Sequence, residues 1–308
     1  MRAVNQRVFG GPEVLEQVEL DVPVPGPDDV LVRVRAAGVN PADWKIRSGA
    51  APLFGEPPFV LGFDVAGVVE EVGGNVSRWQ PGDAVFGMPT PPAGAYAEFV
   101  RAPAVDLAPI PDGLDFIQAA ALPAVALTAW QALVGIAEVG AGQRVLVTAA
   151  AGGVGHVAVQ IAKARGAYVI GTARADKHAF LEELGVDASI DYATADVAAE
   201  APDMDVVFDL IGGANGQSSL RSVRPGGMLL TALWDDPGVE DAEVRRQGRR
   251  LGVVQVRPSG AELARIGELV AQDLLRVHVQ DVIPLADAAA AHRISERGRV
   301  RGKLVLQP

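Results

Sequence analysis

The residues with the clearest chemical potential form a glycine-rich turn, Ala150-Ala151-Gly152-Gly153-Val154-Gly155. They fit the pattern G-x-G-x-x-G with alanine at the first glycine position. Such a turn lets the backbone approach a pyrophosphate, and the N–H groups and dipole of the helix that follows then face the anion. Here an apolar stretch, "VLVTA", precedes the turn and a helical pattern follows it, the context that strengthens the motif. The turn predicts nucleotide binding. The alternative is a strand-to-helix connection that serves packing only.

The residues after the second apolar run indicate which nucleotide is bound. NAD sites usually carry an Asp or Glu there to hold the ribose 2′-hydroxyl. In "VIGTARADK", Thr172 and Arg174 stand where that acid would be, and Lys177 follows. A guanidinium suits a 2′-phosphate because it gives charge-assisted hydrogen bonds. We therefore expect NADPH. Asp176 is interpreted as a helix-start residue, and the alternative for Arg174 is a surface charge.

Short apolar strands that alternate with helices position this turn. From about residue 115 to 258 the pattern predicts a parallel sheet of Rossmann type. Residues 1–110 have a different rhythm, short β-rich runs cut by Gly and Pro, which predicts a mostly antiparallel β domain. The tail resembles neither pattern, so we expect it to return to the first domain. The fold class is α/β.

Composition limits the partners and the compartment. Apolar residues make up 49% of the chain, which indicates a globular protein. The net charge of −11 argues against nucleic acid and anionic membranes as main partners. The chain has no cysteine, which excludes disulfides and thiolate chemistry and fits a reducing compartment. Since no membrane span or leader pattern is evident either, we expect a soluble, cytoplasmic protein.

Several stretches together resemble the medium-chain dehydrogenase/reductase superfamily, specifically its zinc-independent quinone oxidoreductase branch. The resemblance covers nearly the whole chain and is carried by "AAGVNPADWKIRSG", "LGFDVAGVVEEVG", "GDAVFG", "GAYAEF", "AAALPAVALTAWQAL", "AAAGGVG", "LGVDASIDY" and "RVRGKLVL". It implies a GroES-like catalytic domain at 1–115, completed by 259–308. It also implies a Rossmann NADPH-binding domain at 116–258 and an active site in the cleft between the two.

The resemblance also assigns the candidate catalytic and substrate-binding residues. Asn40, Asp43 and Trp44 would lie on the loop that carries catalytic groups in relatives. Asn40 would donate a hydrogen bond to the acceptor oxygen, Asp43 would organise the loop, and Trp44 and Phe63 would line the substrate pocket. The alternative is that "NPADW" is mainly a turn with a packed indole, and Phe63 and its neighbour Asp64 leave a similar choice open.

The candidate cofactor residues are carried over in the same way. Thr128 and Leu233 would border the nicotinamide, and Gly152, Gly153 and Val154 would hold the pyrophosphate. The 2′-phosphate would be bound by Arg174, Lys177 and Tyr192, unless Tyr192 is only a packed aromatic at a strand end. Lys303 is expected to be structural. Relatives often dimerise through edge strands of the Rossmann sheet, so a homodimer is expected.

Departures from zinc alcohol dehydrogenases indicate that no catalytic zinc is bound. Where those enzymes place ligands, this chain has Asn40, Phe63 and a position near Ala124. His156, His178, His278 and His292 show no ligand spacing. Without a Lewis acid, acceptors that take hydride readily become the natural substrates.

Three functional hypotheses follow. The first is a zinc-free, NADPH-dependent oxidoreductase that transfers hydride to a small-molecule quinone or activated enone. The second is a reductase of enoyl thioesters or of double bonds in secondary metabolites; the absence of tyrosine from "SGAAPLFGEPP" weighs against the thioester. The third is a non-catalytic NADPH-binding protein with a regulatory or structural role.

Overall fold

The computed structural model describes residues 1–51, 53–233 and 236–308. Within it the chain folds as two units, each with its own core. Unit 1 comprises Met1–Ala124, Pro258–Ala271 and Val277–Pro308, and unit 2 comprises Val125–Arg257 and Gln272–Arg276. The family resemblance implies divisions at 115/116 and 258/259. The first change of unit falls after Ala124, and Gln272–Arg276, in the part expected to complete the first domain, belong to unit 2.

The strands and helices are as follows. The strands are β1 (Arg2–Gln6), β2 (Glu16–Glu19), β3 (Asp29–Val39), β4 (Phe59–Val60), β5 (Asp64–Val72), β6 (Ala84–Gly87), β7 (Phe99–Pro103), β8 (Leu107–Pro109), β9 (Arg144–Val147), β10 (Tyr168–Ala173), β11 (Ala188–Asp191), β12 (Met204–Asp209), β13 (Val223–Thr231), β14 (Arg250–Val253), β15 (Val279–Pro284) and β16 (Lys303–Gln307). The helices are α1 (Pro41–Arg47), α2 (Phe116–Ala120), α3 (Pro123–Trp130), α4 (Gly153–Ala164), α5 (His178–Glu183), α6 (Val197–Glu200), α7 (Gly216–Ser222), α8 (Asp241–Arg246), α9 (Gly260–Ala271) and α10 (Ala288–Glu296).

Unit 1 is built mainly from antiparallel strands. Its large sheet has the order β15-β16-β3-β5-β6-β8, with β7 also paired to β3. In β3 the exposed Arg33 and Arg35 alternate with the buried Val32 and Val34, the period of two typical of a strand with one face on the core. The last strand, β16, runs antiparallel to β3 and pairs Leu304 with Val39. This pairing holds the end of the chain beside the start of α1.

Unit 2 contains a parallel sheet of six strands in the order β11-β10-β9-β12-β13-β14. Each neighbouring pair is parallel. Its central strands are continuous apolar runs because helices cover both faces of such a sheet. Leu146 of β9, Val207 of β12 and Leu229 of β13 belong to one buried cluster. The predicted Rossmann-type sheet is therefore confirmed.

Among the described residues, we find no helix that combines the length and the apolar character needed to cross a membrane.

Candidate functional site

The glycine-rich turn of unit 2 connects β9 to α4. Gly152 is the residue before α4, with extended φ and ψ of −82° and −175°, and no side chain caps the helix. The first N–H groups of α4 are thus not covered by a capping side chain, as binding of an anion requires. Gly155 fits closely: a Cβ there would overlap the carbonyl oxygen of Ala149. Ala149 itself has a φ of +46°, a left-handed conformation that is uncommon for alanine.

Backbone and side-chain bonds tie this turn to neighbouring strands. The N–H of Ala150 donates to the carbonyl of Thr172 at 2.9 Å, which joins the turn to the end of β10. The Thr148 hydroxyl donates to Oδ1 of Asp209 at 3.0 Å and accepts from the N–H of Leu210 at 2.8 Å. Sequence reasoning missed Thr148 and Asp209, although both are polar residues directly after apolar runs. These bonds join the carboxyl end of β12 to Thr148, the residue that follows β9 and leads into the turn.

Arg174 follows β10 at the carboxyl edge of the parallel sheet. It is exposed, and its Nε donates to the hydroxyl of Tyr192 at 3.3 Å. This hydrogen bond, with smaller contributions from Asp176 and Asp191, raises the pKa of Arg174 above its ordinary value. Lys177 ends the short 3₁₀ helix Ala175–Lys177 and is half-buried. The structure thus brings Arg174 and Tyr192 into contact, with Lys177 one turn away.

Thr128 and Leu233 occupy different elements of unit 2. Thr128 is a buried residue of α3, with 8% of its surface exposed. Leu233 lies just beyond β13, and its N–H donates to Oγ1 of Thr231 at 3.0 Å.

The residues of unit 2 fit a dinucleotide with a 2′-phosphate. The uncapped N-terminus of α4 and its two glycines suit the pyrophosphate. At the end of β10, Thr172, Ala173 and Arg174 offer no carboxylate for a ribose 2′-hydroxyl. The charged group that stands there is a cation, which suits a phosphate.

In unit 1, Asn40 and Asp43 lie at the start of α1, where we expected a loop. Asn40 immediately precedes the helix, Pro41 is its first residue, and Oδ2 of Asp43 accepts the N–H of Asn40 at 2.7 Å. Proline with its fixed φ and a carboxylate that turns back on the helix start both favour initiation. "NPADW" is therefore the first turn of a helix.

The side chain of Asn40 lies between two buried charges. Its Nδ2 donates to Oδ2 of Asp64 at 2.8 Å, and its Oδ1 accepts from Nζ of Lys303 at 2.6 Å. Asp64 and Lys303 are themselves 3.0 Å apart and form an ion pair whose side chains are 0% and 3% exposed. The sequence predicts a structural role for Lys303, and a lysine directly before the apolar residues "LVL" is itself a sign of a buried partner.

Asp43 belongs to a buried chain of hydrogen bonds. The Tyr96 hydroxyl lies 3.1 Å from Oδ2 of Asp43 and 3.3 Å from Nε2 of His292. Nδ1 of His292 lies 3.1 Å from Arg47, whose guanidinium also pairs with Glu296. Because Arg47 only donates, Nδ1 of His292 accepts, so Nε2 carries the proton and donates to Tyr96. Tyr96 then donates to Asp43.

Within this hydrogen-bonded network the pKa values of Asp43 and His292 move in opposite directions. Burial raises the pKa of Asp43 from 3.8 to about 7, against the hydrogen bond from Asn40. Burial and the charge of Arg47 lower the pKa of His292 from 6.5 to about 3. Both shifts have the same cause, since burial disfavours the charged form of each side chain. Tyr96, Arg47 and His292 were not predicted from the sequence, and nothing in their spacing indicated the contact.

Trp44 and Phe63 are sequence neighbours of two residues of this buried network: Trp44 follows Asp43, and Phe63 precedes Asp64. Trp44 is half-buried on α1, and its Nε1 is buried without a partner among the described residues. Phe63 is buried and packs edge-on against Phe54, with ring centroids 5.4 Å apart. Each residue thus places an aromatic ring close in sequence to Asn40 or Asp64.

The described residues contain no group of three or more His, Asp or Glu side chains that could hold a metal ion. The predicted site residues fall into two sets, each within its own unit: Asn40, Asp43, Trp44 and Phe63 in unit 1, and Thr128, Gly152, Gly153, Val154, Arg174, Lys177, Tyr192 and Leu233 in unit 2.

Comparisons with known proteins match this architecture. The model of the alcohol dehydrogenase GroES-like domain matches residues 26–112, and that of the zinc-binding dehydrogenase matches 184–306. The mouse quinone oxidoreductase is 35% identical, over 99% of this chain and 97% of the relative. A 2-haloacrylate reductase of Burkholderia is 36% identical, over 97% of this chain and 96% of that enzyme.

Solved structures agree over the same length. The quinone oxidoreductase of Coxiella burnetii superposes with a TM-score of 0.94 at 36% identity, covering 100% of this chain and 99% of that one. The Escherichia coli quinone oxidoreductase, solved as a complex with NADPH, has a TM-score of 0.90 at 30% identity and is covered over 100% of both chains.

Proposed function

Since the chain belongs to the quinone oxidoreductase-like branch of the medium-chain dehydrogenase/reductase superfamily, we propose that it is an NADPH-dependent oxidoreductase that reduces a quinone or an activated enone. The observation that carries the proposal is the cation at the end of β10. Arg174 stands there in contact with Tyr192, beside a glycine turn that opens onto the N-terminus of α4.

In this proposal each set of residues has a distinct task. Gly152, Gly153 and Val154 hold the pyrophosphate through backbone N–H groups, and Arg174, Lys177 and Tyr192 hold the 2′-phosphate. Thr128 and Leu233 border the nicotinamide. Trp44 and Phe63 line the acceptor site. NADPH, when bound, supplies the hydride.

Asn40 and Asp43 act on the acceptor side. Transfer of hydride to a quinone or enone leaves negative charge on an oxygen, and a proton from solvent then neutralises it. An N–H of Asn40 stabilises that charge as it develops. Asp43 fixes the first turn of α1 through its bond to the Asn40 backbone.

The proposal includes a zinc-free reaction, a homodimer and a cytoplasmic location. Asn40 and Phe63 supply neither thiolate nor imidazole at the positions where zinc enzymes carry ligands. β14 is the outermost strand of its sheet, which leaves a backbone edge for a second copy. The absence of cysteine fits a reducing compartment.

A second candidate is the reduction of a carbon–carbon double bond that is conjugated to a carboxylate or a thioester and not to a ketone. It is favoured by the match to a protein named 2-haloacrylate reductase over nearly its full length. The same hydride donor and the same oxyanion partner would serve, since a carboxylate or carbonyl conjugated to the double bond also gains negative charge.

The test is the loss of NADPH absorbance in stopped-flow mixing with panels of quinones, enones, haloacrylates and enoyl thioesters. Turnover with quinones or enones supports the first candidate, and turnover confined to haloacrylates or thioesters supports the second. Flat traces with all four panels, from protein that binds NADPH, would leave the non-catalytic alternative and refute the proposal.

A further inference from the structure

The partners of Asn40 fix which way its side-chain amide faces. A lysine ammonium can only donate hydrogen bonds and an ionised carboxylate can only accept them. With Lys303 2.6 Å from one amide atom and Asp64 2.8 Å from the other, the first must be Oδ1 and the second Nδ2. Rotating the amide by half a turn would set donor against donor and acceptor against acceptor.

Lys303 is fully engaged in this arrangement. Its three N–H groups are used by the carbonyl of Val39 at 2.9 Å, by Oδ1 of Asn40 and by Oδ2 of Asp64. It is also 2% exposed, so it has no donor left for a substrate or cofactor. Any influence of Lys303 on the reaction must therefore act through the groups around it, and Asn40 is the one among its hydrogen-bond partners that is proposed to touch the acceptor.

Asp64 also accepts three hydrogen bonds. Its Oδ2 accepts from Asn40 and Lys303, while its Oδ1 accepts the N–H of Ala124 at 2.6 Å. Its side chain is wholly buried, and the ion pair with Lys303 offsets the cost of burying both charges. The carboxylate thus occupies one of the two N–H groups on Nδ2 of Asn40 and leaves the second as the donor that the amide can offer.

We propose that Lys303 and Asp64 are positioning residues that lock the amide of Asn40, so that its second N–H serves the oxygen of the acceptor on which negative charge develops. The ammonium on Oδ1 also polarises the amide and strengthens its N–H as a donor. This inference rests on the proposed function, because it specifies how the acceptor oxygen of that reaction is stabilised.

The competing explanation is a purely structural ion pair that joins β16, β3 and β5. The two explanations differ in whether the effect of the pair depends on Asn40. A charge-neutral exchange, Asp64→Asn with Lys303→Met, removes both charges while it keeps side chains of similar size. It is to be measured in the native background and in the Asn40→Ala background, as a double-mutant cycle.

In the native background we expect the exchange to lower kcat by about 10-fold to 100-fold. This is less than the roughly 100-fold to 1,000-fold that removal of an oxyanion donor costs, because the amide is released from its lock and not removed. The dissociation constant of NADPH, from fluorescence titration, should stay within about twofold because both side chains are buried within unit 1 and bonded to one another. In the Asn40→Ala background the exchange should change kcat by less than about threefold, since the group it acts through is gone. Equal losses in both backgrounds, or an unchanged kcat, would overturn the positioning role.

The matched control is Lys163→Met with Asp187→Asn, which removes an ion pair of the same residue types, 2.7 Å apart and partly exposed in unit 2. It should leave kcat unchanged.

Should the buried exchange abolish the cooperative unfolding transition, Asn40→Leu decides the matter. That side chain is of similar size, has no N–H and adds no charge beside Asp64, while Lys303 keeps its bonds to Val39 and Asp64. We expect kcat to fall about 100-fold with NADPH binding intact. A kcat within about threefold of the unmodified enzyme would refute the locked donor. Native protein that reduces no acceptor would instead refute the proposed function, so the two failures are distinguishable.

Discussion

The phenol of Tyr96 donates a hydrogen bond to Oδ2 of Asp43 across 3.1 Å, and both residues are completely buried. On its other side the same hydroxyl faces Nε2 of His292 at 3.3 Å. A carboxyl group and an imidazole are thus linked through one phenol, and both resist ionisation because burial removes their hydration. This pair gives the stability of the protein an unusual dependence on pH.

Asp43 makes the folded state less stable as pH rises. Its pKa is about 7 in the folded protein and 3.8 as the ordinary value, so between these pH values the folded state holds a proton that the unfolded chain has lost. The free energy of unfolding should fall across this window by as much as about 4 kcal/mol. His292 acts in the opposite direction: its pKa is about 3 against 6.5, so its contribution is lost as pH falls from 6.5.

We therefore predict that Asp43→Asn and His292→Gln tilt the pH dependence in opposite senses. From about pH 4 to 6.5 the two contributions oppose each other in the native protein. Without the Asp43 carboxyl, the free energy of unfolding should rise with pH; without the His292 imidazole, it should fall. Urea denaturation followed by circular dichroism over this range measures both slopes. If both variants keep the native slope, the two groups do not titrate as described.

Much of unit 2 was predictable because its signals are local. The apolar runs that became β9, β10 and β12 are continuous in the sequence, and the glycine turn lies directly between a strand and a helix. The cation at Arg174 stands at a position that the same motif defines. The turn and Arg174 can both be recognised within a stretch of about thirty consecutive residues, the length of one βαβ unit.

The network of unit 1 could not be predicted in this way. Lys303 meets Asn40 across 263 positions of the chain, and Tyr96 meets His292 across 196. Only the antiparallel pairing of β16 with β3 brings the first two together. The seven residues of α1 are too few for a helical period to be recognised, so the pattern of "NPADW" does not distinguish a helix from the loop that the family resemblance implies.

The close approach at Gly155 predicts that any side chain there disturbs the nucleotide turn. In Gly155→Ala the new Cβ would overlap the Ala149 carbonyl oxygen and lie 2.8 Å from Cα of Ala150. We expect a loss of stability of about 1–3 kcal/mol together with weaker NADPH binding, measured by thermal unfolding and fluorescence titration. Gly140→Ala is the control, because a Cβ at Gly140 meets nothing within 4 Å. Equal behaviour of the two variants would show that the turn can relax.

Removal of metal ions should leave the reductase activity unchanged. The reason is the donor set: if, as proposed, Asn40 and Phe63 occupy the positions at which zinc enzymes carry ligands, neither residue can supply a thiolate or an imidazole there. Protein dialysed against a chelator should keep its kcat, and elemental analysis should find zinc well below one ion per chain. A stoichiometric ion, or activity that returns only on addition of zinc, would contradict the prediction.

Arg174 should decide between NADPH and NADH. Its guanidinium lies at the end of β10 and contacts Tyr192, where an NAD site would carry a carboxylate. Arg174→Asp replaces a cation that suits a 2′-phosphate with an anion that repels it and can accept from a 2′-hydroxyl. We expect the dissociation constant of NADPH to rise by about tenfold or more, while that of NADH stays equal or falls.

Arg246→Asp, the same charge change on an exposed part of α8, controls for net charge. Fluorescence titration with both dinucleotides gives the four constants. Weakening of NADPH and NADH alike would mean that Arg174 supports the turn as a whole, and native protein that prefers NADH would refute the assignment of the 2′-phosphate site.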